Sequence, residues 1–193
     1  MNAPAFFPRT EVAPHRFTVE DVWRMVEVGV IDPDASIEIL DGEIIDMPSE
    51  GEVHLTFKMR LNRLLVTTIA SEWEVMPEGT LHLAPQDAPQ PDFYVLPADA
   101  DLRPVDPAGV ALIIEIADMS LRHDLGRKPG KYAQYGLSEY WVIDVNARQT
   151  HVHRNPVDGA YADVAIVPFD EPLTPARLDM IIVRLDQLVP AKT

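Results

Sequence analysis

The sequence contains no cysteine, so neither disulfides nor thiolate-held zinc can secure the fold, and redox usage gives no compartment. Basic residues are scarce. Sixteen Lys and Arg (16) stand against 31 Asp and Glu, a formal net charge of -15 that argues against broad, sequence-independent adhesion to nucleic acid. Any polyanion bound here must meet a local basic surface or a metal ion. No apolar run is long enough to span a bilayer, and the stretch from Met1 to Thr10 lacks the basic region and apolar core of a signal peptide. The reading is of a soluble, cytoplasmic protein. Internal repeats, heptads, a glycine-rich phosphate loop and low-complexity tracts are likewise lacking.

What is present suits one globular domain with decorations: 193 residues, 47% of them hydrophobic. Residues 1–16 carry Pro4, Pro8 and Pro14 without apolar periodicity, which predicts an arm that is either mobile or packed on a partner subunit, ahead of a single domain over 17–193. Thr18 and Asp21 form an N-cap pattern for a short helix with Val19, Val22, Trp23 and Val26 on one face. Ile37–Leu40 and Glu43–Met47 flank Asp41-Gly42, the signature of a two-residue hairpin turn. From Glu52 to about Ala70 neither proline nor glycine occurs, and Val53, Phe57, Leu61, Leu64, Leu65 and Thr68 recur at helical spacing. Short strands are predicted at 73–76, 81–84 and 92–96, and later ones at 148–154, 160–167 and 180–185.

The stretch from Val110 to Asp144 organises the chain. Ala111–Ala117 reads as a buried strand that contains one acid, Glu115, and Glu139–Asp144 as a second strand. Between them Lys128, Tyr132 and Tyr135 share a helical face that Gly136 can terminate. Strand, helix and strand make a βαβ unit, usually with parallel strands. A carboxylate inside an apolar strand is costly unless it is paired or bound to a cation, so Glu115 needs a partner.

Asp92 opens the preceding strand, and pairing of the two strands can bring Asp92 and Glu115 to one sheet edge. Two carboxylates with open water positions are what Mg²⁺ prefers. Such a site can activate water and stabilise phosphoryl charge, with Lys128 as the candidate to orient or deprotonate the nucleophile. Glu43 and His54 are supporting candidates. The plainer alternative is that these acids are solvated or salt-bridged and that Asp124 with Lys128 is an ordinary pair at helical spacing. His151 and His153 share a strand face but find no third ligand, and they read as surface residues. Tyr140 and Trp141 read as core and strand-edge aromatics.

Taken in order, Ile37-Glu-Ile-Leu-Asp-Gly-Glu43-Ile, His54 opening a helix, Gln90-Pro-Asp92, Ile114-Glu115-Ile-Ala-Asp-Met-Ser120, Asp124 with Lys128 and Tyr132, and Gly136-Leu-Ser-Glu-Tyr-Trp-Val-Ile-Asp144 resemble the Uma2 family of restriction-endonuclease-like proteins, over roughly residues 18–185. The resemblance implies an α/β (α+β) restriction-endonuclease-like core with a PD-(D/E)XK site: a central mixed sheet flanked by helices, plus an N-terminal hairpin and C-terminal strands. It makes Asp92 the aspartate of the Pro-Asp motif and Glu115 the acid of the (D/E)XK strand. Ala117 stands where that motif has lysine, so the lysine would come from the following helix as Lys128, with Lys131 the alternative because Pro129-Gly130 leaves the helix start open. The implied activity is Mg²⁺- or Mn²⁺-dependent hydrolysis of DNA phosphodiesters, by a homodimer. The displaced lysine and the negative charge motivate a rival reading, a catalytically inactive nuclease-fold module that binds nucleic acid or protein.

Overall fold

The computed structural model describes residues 13–178 and 181–189; most of the arm predicted at 1–16 lies outside them. Helix α1 (Val19–Glu27) begins on the capping box read from the sequence: the Thr18 hydroxyl accepts from the Asp21 N–H at 3.1 Å, and the Asp21 carboxylate accepts from the Thr18 N–H at 2.9 Å. Only Val22 of this helix is buried, and Trp23 stays 43% exposed. Strands β1 (Ile37–Leu40) and β2 (Glu43–Asp46) pair antiparallel as a separate two-stranded sheet. Asp41 and Gly42 both take positive φ, 52° and 70°, as a type I′ turn demands. A side chain at Gly42 would also meet Arg16 Cβ at 2.8 Å.

The main sheet has six strands in the order β3-β4-β5-β6-β7-β8. They are β3 (Trp73–Pro77), β4 (Phe93–Pro97), β5 (Leu112–Ala117), β6 (Glu139–Asp144), β7 (Gln149–Val157) and β8 (Ala160–Pro168). The β5–β6 pair is parallel and every other pair antiparallel, so the sheet is mixed and the βαβ unit is where the sequence placed it. The strand period of two sorts the central strands onto two cores. Phe93, Val95, Ile114, Ile116, Trp141 and Ile143 meet α2 (Glu52–Thr68) through Phe57, Leu61 and Leu65. Tyr94, Ile113, Tyr140 and Val142 meet Tyr132 and Ala133 of α4 (Arg127–Gln134) on the opposite face. At roughly 25 cal/mol per Å² of apolar surface, burial of both faces is the main source of stability. Among the described residues no helix is long and apolar enough to cross a membrane.

The connection after β5 is broken rather than continuous. A short helix α3 (Leu121–Asp124) ends at Leu125-Gly126, and α4 starts at Arg127. Pro129 falls in the first turn of α4, where its missing N–H has no intrahelical acceptor to lose, so Lys128 is already helical. Gly126 allows the close approach of the two helices, since a Cβ there would sit 2.8 Å from the Arg122 carbonyl.

Three expectations are corrected. Residues 81–84 form no strand: the Leu81 N–H bonds to the Pro89 carbonyl and Leu83 to Asp87, while Pro85 and Pro89 cannot donate to a ladder. The strand expected at 180–185 shrinks, within its described part, to one bridge between Val183 and Leu173. Prolines at 172 and 175 bracket that partner, and Leu185–Gln187 turns as a 3₁₀ helix. His153 is buried, 8% exposed, between the rings of Tyr140 and Tyr161. The expected strand at 160–167 is β8, which ends the sheet as an edge.

Candidate active site

The register Phe93↔Ile114, extended one step, sets Asp92 opposite Glu115 on adjacent antiparallel strands. Asp92 is tied down there. Its Oδ2 accepts from the Ile116 N–H at 2.7 Å, and its own N–H points to Glu115 Oε2 at 3.4 Å. Both carboxylates line a cleft of about 550 Å³ with Glu50, His54, Glu78, Asp118 and Asp124. The two residues the sequence singled out are thus brought together at the floor of an open cavity.

The far wall comes from α2 and the residues before it. His54 Nε2 lies 2.9 Å from Asp92 Oδ1 and 3.4 Å from Glu50 Oε1. Burial would lower the His54 pKa, but the hydrogen bond to Asp92 and the charges of Asp92 and Glu50 outweigh it and raise the pKa above the ordinary histidine value. Lys58 follows one turn later, pairs with Glu50 and Glu78, and reaches Asp92 Oδ1 at 3.5 Å. Burial acts to lower its pKa, and the bonds to Glu50 and Glu78 prevail and raise it.

Behind the floor stands Lys128, wholly buried. Its Nζ lies 2.8 Å from Glu115 Oε1, 3.1 Å from Glu38 Oε2 and 3.6 Å from Asp124 Oδ1. Burial opposes its charge, but Glu115, Glu38 and Asp124 more than compensate and raise its pKa. Glu115 goes the other way: burial raises its pKa well above the carboxylate range, Lys128 opposes this, and the charges of Asp124 and Asp92 add to it. Glu38 is also buried, which works to raise its pKa, yet the bond from His123 at 2.6 Å and the Lys128 charge leave it lowered.

The remaining candidates are placed elsewhere. Glu43 pairs with Arg16 and with Arg127 on the exposed side of the hairpin and does not line the cleft. Lys131 pairs with Asp41 and, at 3.3 Å, with Asp87, which fastens the hairpin turn rather than the cleft. Sequence reasoning missed Glu38, Glu50 and Lys58. A partial signal existed for each: Glu38 is a lone acid between Ile37 and Ile39, the same cue that exposed Glu115, and Lys58 follows His54 by four on one helix face, with Glu50 four residues before His54; what each faces is not written locally.

Among the described residues, Glu50, His54 and Asp92 offer ligand atoms that all lie within 4.8 Å of one another. Two carboxylates and an imidazole facing an open cleft fit a divalent cation that keeps part of its water shell.

The Uma2 family, described as putative restriction endonucleases, matches residues 20–181. The chain belongs to the Uma2 family. No curated protein is significantly similar to this Uma2 chain. A putative nuclease belonging to DUF820 from Anabaena variabilis shares its fold, with a TM-score of 0.66 at 14% identity over 89% of this chain and 97% of that one. The type IIG restriction endonuclease BpuSI matches 60% of the Uma2 chain at 18% identity and a TM-score of 0.38, and the match spans 13% of BpuSI.

Proposed function

We propose that this Uma2 protein is a metal-dependent endonuclease that hydrolyses phosphodiester bonds of DNA. The observation that carries the reading is the convergence of Asp92 and Glu115, in register on adjacent strands, at the floor of an open cleft with His54 Nε2 2.9 Å from Asp92. Membership of a family described as putative restriction endonucleases supports the substrate class.

Asp92 and Glu115 would hold the cation, Mg²⁺ or Mn²⁺, and among the described residues Glu50 and His54 offer further ligand atoms within 4.8 Å of that of Asp92. A bound divalent ion supplies a more acidic water and offsets charge on a phosphoryl oxygen. The Ile116 N–H fixes Asp92 Oδ2 at 2.7 Å and so leaves Oδ1 to face the cleft. Lys128 acts through Glu115: a fully buried ammonium with three carboxylate neighbours has little capacity left for substrate, and it orients Glu115 while opposing the effect of burial on that carboxyl. Glu38 and Asp124 keep that ammonium in place.

The test is cleavage of supercoiled, linear and single-stranded DNA, and of RNA, with Mg²⁺ or Mn²⁺. Wild type should cut DNA only with the metal, and Asp92→Ala and Glu115→Ala should each lose cutting and calorimetric metal binding together. The burial of Lys128 favours one rival, an inactive module that binds nucleic acid or protein. Retained DNA binding with no cleavage under any metal would establish that rival instead.

A further inference from the structure

The cleft collects carboxylates, Glu50, Glu78, Asp92, Glu115, Asp118 and Asp124, and among the described residues no lysine or arginine lines it. A phosphodiester entering it meets like charge on most sides. Like charges repel strongly at such short range in a partly dry site, so a cation of the chain at the site matters. Two lysines are near. Lys128 is held by Glu38, Glu115 and Asp124, whose side chains are 0%, 6% and 2% exposed, and exchanging any of them for substrate would strand a buried charge.

Lys58 is held differently. Its two short partners are Glu78, whose side chain is 59% exposed, and Glu50, at 30%. Both carboxylates reach solvent, so a phosphate that replaces them at Lys58 leaves them hydrated and strands no buried charge. Lys58 Nζ is also 3.5 Å from Asp92 Oδ1, and among the described residues it is the only lysine or arginine nitrogen within 4.0 Å of that carboxylate. It stands on the buried face of α2 one turn after His54, and its ammonium lies directly behind Glu50 and Glu78, two carboxylates that line the cleft.

We infer that Lys58, not Lys128, is the lysine that contacts the scissile phosphate and offsets the charge that builds on it during hydrolysis. This rests on the nuclease reading. No bond to Lys58 forms or breaks; its ammonium leaves Glu78 and Glu50 and donates to a phosphoryl oxygen, and the ion pair re-forms when product leaves.

The experiment compares wild type with Lys58→Met, Lys58→Arg and Glu78→Ala on the cleaved DNA substrate, alongside calorimetric Mn²⁺ titration and thermal melts. Removing one preorganised donor to the transition state typically costs 10²–10³ in rate, so Lys58→Met should lower kcat by about that factor. Mn²⁺ affinity should be unchanged or tighter. Lys58→Arg should recover activity to within about tenfold of wild type, which a merely structural role would not require. Glu78→Ala leaves Lys58 in place without one of the two carboxylates that compete with substrate for it, so KM should fall, and this holds the inference open to refutation even if Lys58→Met does not fold. Wild-type kcat in a folded Lys58→Met protein, or a raised KM in Glu78→Ala, would overturn the role of Lys58 while leaving the nuclease reading intact. Absence of cleavage by wild type under every metal would overturn both.

Discussion

Losing Lys128 would strand three buried acids at once. Its charge lies within 3.6 Å of the carboxylates of Glu115, Glu38 and Asp124, so Lys128→Met leaves acids buried without a counter-ion. Breaking a buried pair from one side costs about 3–5 kcal/mol, and urea unfolding of Lys128→Met should show a loss of that order. Loss of under about 1 kcal/mol would mean that the network is protonated or hydrated and contributes little. The pH dependence of metal binding follows from the same neighbourhood. Glu115 is raised by burial, and His54 by Asp92 and Glu50 against the opposing effect of burial, so both hold protons to higher pH than free groups do. A cation must displace those protons, and its affinity should therefore fall as pH falls through the raised values. In linkage terms the raised His54 contributes stability below its unfolded value, about 6.5, that disappears as pH rises through its folded value. Calorimetric titration with Mn²⁺ at several pH values, in buffers of different ionisation enthalpy, should show proton release; affinity independent of pH would rule out these two groups as ligands.

At the level of elements, the sequence was most legible where local chemistry and tertiary demand coincide. The Asp41-Gly42 turn, the Thr18–Asp21 capping box and the alternation in β4, β5 and β6 each state their structure in a few residues. Gly42→Ala should make the first point quantitatively. It forces a Cβ into positive φ and against Arg16, and should destabilise by more than the ~1 kcal/mol of an ordinary Gly→Ala mismatch, read as a lowered Tm. What was not legible depends on distance. The segment at 81–84 has strand composition, but its partners are the proline-rich residues 85–89, which close a tight loop instead of a ladder. Glu43 and Glu38 are equally acidic in sequence; only docking of the hairpin shows that Glu38 turns toward Lys128 and Glu43 toward Arg127. The Asp92–Glu115 pairing was readable because two adjacent strands suffice to make it, whereas Lys58 needed the orientation of α2 over the sheet.

For the molecule as a whole, the six-stranded sheet ends in β3 on one side and β8 on the other, and among the described residues no further strand pairs with β8. Val164 and Ile166 on it are 57% and 56% exposed, Asp163 is its only charge, and its proline comes at the last position. An edge so lightly guarded invites a second strand. On the proposed nuclease reading a homodimer would supply one site for each DNA strand, and antiparallel self-pairing centred on Val164 would set Asp163 opposite Ala165 rather than opposite its own copy. Sedimentation at tens of micromolar, about the upper physiological range, should find a dimer that Val164→Lys weakens; a strictly monomeric wild type would exclude this assembly.

The hairpin is joined to the body with few backbone bonds, chiefly Ile39 with Ala88 and the Gly42 N–H to Gln86. Much of its attachment is ionic: Asp41 and Glu43 to Arg127, Asp41 to Lys131, and Glu38 to Lys128 and His123. The exposed members of that set are screened by salt, while the apolar contacts of β4, β5 and β6 are not. Raising ionic strength should therefore loosen the hairpin before anything else, and its amides should exchange hydrogen for deuterium faster at high salt while those of β5 keep the protection of global unfolding. Because Glu38 travels with the hairpin, the same loosening would uncover Lys128 from one side, making the solution's ion content a control on how firmly Glu115 is held.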